Sequence, residues 1–517
     1  MTGLLRFYAL AAGLICVSAC VVDRDIPAGG ARAATITIAA GADNSPSGAF
    51  QARLGVYPLN ANVAETLTRM NAEFRVEPQL ATRWEYRGNN TWRFHLRANV
   101  FFHNRQRLTS RAVVETMARV GRTKGGYGGI GERSAQVVDD STVDITPTSP
   151  NLHLPQQLTH PNYSVFAAGT DPARLPVGTG PFKWVEYRPY DRIVIDRNPY
   201  YRNRVNGPAR IIFRFIPDAN TRALSLLSGE VDLAMDLPRE QIGALSRTRG
   251  YVIARAPVGQ AVALEVNAHG NGTHDLLRDR RLRRAVAYSV DAKELIRGVW
   301  SNEARPLHTM TVPAILGQYA GLVHGIPFDT AAAKRLLDEA GWPAGADGIR
   351  RRRDGRALQL EMVATVTLEP SAGEMLQAQL RRVGIDLRVT RLPDAASHSA
   401  RVGAGAFDLN MGASNQNDGD PMFLPALLYY SKSGGTFRRW YSAGARFDSV
   451  VEAGLATSDP LEMQRLAAEA IKVAVDEEAV CIPVAALFRI YGLSSAISGF
   501  QPHPSQTHQS WATLARH

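Results

Sequence analysis

Apolar and polar residues alternate just after residue 34. Thr35-Ile-Thr-Ile-Ala-Ala therefore reads as a strand, since side chains with period two face opposite sides of a sheet. Trp84-Glu-Tyr and Thr91-Trp-Arg-Phe-His-Leu-Arg97 alternate on either side of Gly88-Asn-Asn, which predicts a hairpin. Further strands are predicted at 142–146, 181–187, 191–196, 210–216, 358–364, 384–391 and 405–411. Helices are predicted at 61–70, 109–120, 219–228, 278–289, 291–299, 329–340, 371–383 and 460–475. Thr109 or Ser110 caps the second of these. Asp291 and Glu294 have capping-box spacing, and Asp329 opens a helix that Gly341 ends. The 371–383 helix lies between two strands, a βαβ pattern. Strand and helix interleave throughout, so the class is α/β or mixed α+β.

The first residues carry a different pattern. Arg6 precedes an apolar run from Phe7 to Val17, too short for a stable bilayer-spanning helix. Val17-Ser18-Ala19-Cys20 resembles a bacterial lipobox, with small residues beside a Cys whose thiol takes a lipid. An ordinary secretory signal is the plainer alternative. Residues 1–20 are thus expected to be a lipoprotein signal peptide, and the small, polar stretch 21–34 a tether. Of three Cys, cleavage removes Cys16 and lipidation uses Cys20, leaving Cys481 as a small buried hydrophobe. An exported chain without a disulfide depends on its core, which 517 residues can supply.

The net charge is +11, with six Lys and 53 Arg. The arginines are spread along the chain with acids between them, and even Arg350-Arg351-Arg352-Arg353 is followed by Asp354. That distribution reads as a solvated surface, so no nucleic-acid partner is expected. Catalytic signatures are missing: no HExxH, CxxC, GxSxG or GK[ST] loop occurs. Gly126-Tyr-Gly128-Gly-Ile-Gly131 matches GxGxxG, but a helix precedes it, so it reads as a loop. Gly178-Thr-Gly180-Pro-Phe leads into a strand and aims no helix N-terminus at an anion. His160 and His308 read as loop or core residues, and no metal site or cofactor is expected.

An ordered series of motifs then resembles the family 5 extracellular solute-binding proteins of ABC importers, which include peptide-binding and nickel-binding members. The series runs Asn62-Val-Ala-Glu-Thr-Leu-Thr-Arg, Val76-Glu-Pro-Gln-Leu-Ala-Thr-Arg-Trp84, then Phe94-His-Leu-Arg97 with Phe102-His103. It continues with Val177-Gly-Thr-Gly-Pro-Phe-Lys, Arg197-Asn-Pro-Tyr-Tyr and Leu227-Ser-Gly-Glu-Val-Asp232. It ends with Leu282-Arg-Arg-Ala-Val-Ala-Tyr-Ser-Val-Asp291, Phe328 to Trp342, and Gln379-Leu-Arg-Arg-Val-Gly-Ile-Asp386. The likeness spans about residues 35–505. The chain departs from the family at Asn104-Arg-Gln-Arg, where an acidic or Asn-Gly turn is usual, and at Ala413, where many relatives carry Trp. Nickel-type proteins also place a Tyr before their Asp-Pro and an Arg in the segment matching His160-Pro-Asn-Tyr-Ser164; both are missing here.

The resemblance implies a two-lobed periplasmic-binding-protein-like fold with an extra subdomain in lobe one. Its expected parts are lobe one at 35–270, with the insertion at about 76–175, lobe two at 271–478, and a return to lobe one at 479–517. It implies a peptide or peptide-like solute, enclosed between the lobes and handed to an ABC permease with its ATPase subunits. It further implies a monomer, lipid-anchored outside the cytoplasm. A nickel or metallophore chelate is the alternative solute. A secreted hydrolase is the alternative from another class, and no nucleophile–base set stands out for it. The expected solute contacts lie after the 405–411 strand: Asn415, Gln416, Asn417, Asp418 and Asp420. Asp420, before Pro421, is the first choice for a ligand ammonium, and a self-capping Asp/Asn turn is the alternative. Tyr163 is a further contact or a core tyrosine, and Asn62 a contact or a helix cap. Tyr429-Tyr430 and Trp440-Tyr441 either line the cleft with aromatic faces or pack in the core, and their spacing favours the core.

Overall fold

The computed structural model describes residues 35–41, 61–122, 129–270, 272–365, 369–414, 419–433, 438–505 and 508–517. The signal segment with Cys20, the tether and residues 415–418 lie outside the described residues.

One large mixed sheet forms the backbone of the molecule. On one side Thr35–Ala40 lies parallel between Arg210–Phe215 and Leu233–Met235. The Phe182–Arg188 and Arg192–Arg197 strands extend that side antiparallel. On the other side Gln359–Thr365 lies parallel between Asp386–Leu392 and Leu409–Ser414, which closes the expected βαβ unit around the Pro370–Arg381 helix. Two long antiparallel strands, Tyr251–Val266 and Cys481–Ser494, connect the sides. Leu493 pairs with Leu233 in the first lobe, while Ala261 pairs with Ser414 in the second. The ladder between the two long strands shifts register between Ala256 and Gln260, midway between the lobes. A bulge at that place bends the strands without ending them.

The second lobe is covered on both faces. Val262, Leu264 and Val266 enter one apolar cluster and Ala263 the other. Leu360 and Met362 likewise oppose Val363. Strands buried on both faces lose apolar–polar alternation. For this reason Tyr251–Val266 and most of Cys481–Ser494 escaped the strand pattern. Cys481 is buried, as expected. A separate four-stranded sheet, 81–88, 91–96, 142–145 and 135–139, packs on the Ser110–Arg122 helix with its own core.

Capping follows the sequence closely. The Asp291 carboxylate accepts from the Lys293 and Glu294 amides, and Asp329 accepts from Ala331 and Ala332. Glu294 does not complete the capping box; it pairs with Arg382 and Gln379 instead. The expected helix at 61–70 is absent. That stretch is a turn followed by the Thr68–Met70 strand, paired with Val76–Pro78. Ala61, Val63–Thr68 and Met70 are all buried, so the segment has no single apolar stripe for a helix to present.

Several motifs of the resemblance meet at one knot beside this segment. The Gly178 and Gly180 backbones press so closely on it that an added Cβ would lie 2.1 Å from the Val63 and Asn62 carbonyl oxygens respectively. The Asn198 amide donates to Gly180 O at 2.9 Å, and the His103 backbone N–H donates to Gly178 O at 2.9 Å. Glu65, 3% exposed, accepts from both Arg202 end nitrogens at 2.6 Å and from the Thr179 hydroxyl at 2.8 Å. These motifs are therefore a structural fastening in the first lobe. Burial within it holds the His103 imidazole down at about 4.

Candidate functional site

The two lobes touch through a small apolar contact and a buried polar one. Met70 and Phe74 of the first lobe pack against Val312 and Ile315 of the second. Gly419 sits under this contact, where an added Cβ would lie 2.9 Å from Phe74 O. Next to it the His153 ring, 1% exposed, meets the Asp420 carboxylate, 3% exposed. His153 precedes the short Leu154–Gln157 helix beside the four-stranded sheet, and Asp420 lies 267 residues away. Nδ1 is 3.0 Å from each Asp420 oxygen, and Nε2 is 2.9 Å from Gly454 O.

An oxygen acceptor therefore stands at both ring nitrogens. Only the imidazolium has a hydrogen for each. Burial opposes that charge, but the Asp420 carboxylate and the Gly454 and Thr457 carbonyls outweigh it, so the His153 pKa is raised above 6.5. Asp420 also accepts from the Met422 amide at 2.8 Å, which turns the chain sharply after Pro421.

Asp420 thus stands at the root of the expected solute loop, with both oxygens facing His153. Asn415, Gln416, Asn417 and Asp418 lie outside the described residues. Their strand, Leu409–Ser414, ends with Ala413 exposed and Ser414 half-buried. Tyr163 is fully buried in the core under the four-stranded sheet. Asn62 opens no helix: its φ is +57°, its side-chain NH2 donates to Gln509 O at 2.7 Å, and its Oδ1 accepts from the Trp511 amide at 2.8 Å. It lines a first-lobe cavity of about 340 Å³ with Glu65, Gln79, Tyr201 and His508. Tyr429, Trp440 and Tyr441 pack in the core, as expected.

Behind Gly412 lies a buried carboxyl that the sequence did not mark. Glu265 is opposite Asn410 in the ladder, and its Oε1 is 3.6 Å from where a Gly412 Cβ would sit. It accepts a hydrogen bond from the Tyr429 hydroxyl. Burial raises its pKa to about 7, partly offset by that bond. The neutral form is favoured in the fold, so Glu265 contributes stability that is full below 4.5 and lost as pH rises through about 7. Glu265→Gln is expected to remove this slope and to stabilise the protein at pH 8 by about 3 kcal/mol. Urea midpoints from pH 5 to 8 measure it; parallel profiles for both proteins would refute the assignment.

The model of the bacterial extracellular solute-binding proteins, family 5 (middle), matches residues 75–436. The chain belongs to this family. The nickel-binding periplasmic protein of Escherichia coli K12 is 27% identical over 446 residues, 82% of this chain and 83% of that protein. The glutathione-binding protein GsiB of Salmonella choleraesuis is 26% identical over 380 residues, 71% of this chain and 70% of that protein. The crystal structure of NikA from Brucella suis with Fe(III)-EDTA superposes with a TM-score of 0.79 at 24% identity, covering 93% of this chain and all of that one. The two-lobed binding-protein fold expected from the motifs is the fold of this family 5 chain. The relatives it matches are binding proteins. No helix among the described residues is long and apolar enough to cross a membrane.

His153 and Glu265 escaped the sequence reading. Neither stands in a motif, and each acquires its chemistry from partners far along the chain.

Proposed function

We propose that this family 5 protein is the solute receptor of an ABC importer and that it encloses a peptide or peptide-like solute between its lobes. The observation that carries the reading is the His153–Asp420 pair. It joins the lobes at the root of the loop after Ser414, so the step that closes the lobes also fixes the base of that loop. Asn415, Gln416, Asn417 and Asp418 supply amides and a carboxylate to the solute's polar ends. Asp420 reaches an ammonium only when its pair with His153 opens. The lobes divide at the register shift between Ala256 and Gln260, so residues 261–270 and the start of the Cys481–Ser494 strand go with lobe two, and the 76–175 insertion goes with lobe one. Cys20 carries the lipid, the mature monomer stands outside the cytoplasmic membrane, and a permease with its ATPase subunits receives the solute. The glutathione-binding relative supports a peptide-like solute.

A nickel or metallophore chelate is the second reading, supported by the nickel-binding relative and the NikA fold. Native mass spectrometry of the chain from residue 21 onward, beside a denatured control, decides between them. A retained mass that fragments into amino acids supports the peptide reading. A metal isotope pattern or a chelator mass replaces it with the second.

A further inference from the structure

One end of the first lobe carries unpaired arginines beside bare aromatic rings. Between Glu85 and Glu115, and again between Asp196 and Asp218, the chain has eleven Arg and no Asp or Glu. Most of these arginines are committed. Arg87, Arg93, Arg111, Arg202, Arg210 and Arg214 meet carboxylates. Arg97 and Arg197 donate to backbone carbonyls. Arg105, Arg107 and Arg204 are exposed and make no ion pair among the described residues.

Arg105 and Arg107 stand in the turn at 99–107. Phe102 is buried in the subdomain core, and its neighbour Phe101 is 41% exposed and paired with Arg107 in an isolated bridge. The Arg105 guanidinium lies 4.6 Å from the centre of the Tyr200 ring, itself 46% exposed, and donates to its hydroxyl. Arg105 has a φ of +67°. Glycine would hold that conformation without strain, so the backbone gains nothing from an arginine there. Tyr200 lies just beyond the end of the Arg192–Arg197 strand. In the large sheet Arg210 pairs with Thr35 on one side and with Asp196 on the other. Thr35, where the fold begins after residues 21–34, is therefore at the same end of the sheet as this patch. The stretch 21–34 spans at most about 50 Å when extended, so an anchor at Cys20 keeps this end of the lobe near a bilayer. The C-terminal strand ends, where open α/β sheets take ligands, lie at the other end.

We propose that Phe101, Arg105, Arg107 and Tyr200 form a membrane-contact surface for anionic phospholipids. Arg105 and Arg107 meet lipid phosphates, and the two rings enter the headgroup layer, where aromatic side chains partition favourably. Arg204 adds attraction to the charged surface. The proposal rests on the lipid-anchored reading above, since the anchor supplies the nearness that a contact of this size needs. Sedimentation with phospholipid vesicles tests it, using the unlipidated chain from residue 21 onward, which keeps every described residue. At low ionic strength the protein should sediment with phosphatidylglycerol vesicles and stay in solution with phosphatidylcholine vesicles. Added salt should release it. Arg105→Gly with Arg107→Gln should weaken binding by about twentyfold, while the Tm of Arg105→Gly alone holds or rises. Arg335→Gln with Arg353→Gln removes the same charge from exposed, unpaired positions of the second lobe and should leave binding unchanged. Equal sedimentation with both lipids, or an equal loss in the two double variants, overturns the surface. If Arg105→Gly does not fold, Arg107→Gln decides alone: a loss of about fivefold is expected, and unchanged binding overturns the proposal. Palmitate labelling of the full chain in a bacterial host reads the anchor separately, so a missing anchor and a missing surface give different results.

Discussion

Replacing His153 by glutamine should destabilise the closed molecule by about 3–5 kcal/mol at pH 6, because the Asp420 carboxylate loses its imidazolium in a site that excludes water. The effect should depend on pH. The folded-state pKa of His153 is raised, so its contribution is fully present below 6.5 and is lost as pH rises through the raised value. Wild-type stability should therefore fall toward alkaline pH by a component that His153→Gln removes. Asp420 is the charged group in contact with the ring, and the Gly454 and Thr457 carbonyls are its other acceptors. The Glu265 contribution falls over an overlapping range, so the profiles belong side by side, with the double variant expected to be flattest. Urea midpoints measure the energy, and small-angle scattering measures lobe separation. The variant should have the larger radius of gyration at pH 6 and approach the wild type at pH 9. An unchanged midpoint and radius at pH 6 would show that the pair does not hold the lobes.

Arg202→Met should be comparably damaging in the first lobe, by about 3–5 kcal/mol, because it strands the Glu65 carboxylate in the core. Glu65 is 3% exposed and receives two Arg202 hydrogen bonds at 2.6 Å. The Thr179 hydroxyl at 2.8 Å, with the Tyr201 hydroxyl and the Gln79 amide at 3.4 Å, is too little to hold a full negative charge there. Glu65→Gln combined with Arg202→Met should recover part of the loss, since it removes the buried charge as well. Denaturant titration of both variants checks this. A double variant as unstable as Arg202→Met would place the damage in the lost stacking of the Arg202 guanidinium over the Tyr201 ring.

The pattern of the chain carried most of the regular elements. The 219–228 expectation became Ala219–Leu227, 278–289 became Arg280–Ser289, and 329–340 became Thr330–Glu339. Each has a capping Asp and an amphipathic face, signals that are local and survive folding. The Gly88-Asn-Asn hairpin was equally local: all three residues have positive φ. The motifs gave the family and with it the two-lobed fold.

What escaped was set by burial and by distance along the chain. The two strands that join the lobes are apolar on both faces for much of their length, so period two fades from them. Residues 61–70 carried helical spacing, yet burial around almost the whole segment favoured a turn and a short strand. The site divides in the same way. Asp420 was legible as a distinctive acid in a loop, because Asp before Pro in an Asn-rich turn is a local feature. Its partner was not. His153 sits 267 residues earlier, and only the packing of the four-stranded subdomain against the second lobe brings its ring to that carboxylate. By itself the sequence determined the strands and helices with local signals, the family, and the loop that bears Asp420. Tertiary structure alone decided that His153 closes on that loop and that the Glu265 carboxyl is pushed up to about 7. Each of those properties is a desolvation effect, and desolvation is decided by what packs around a group and not by its neighbours in the chain.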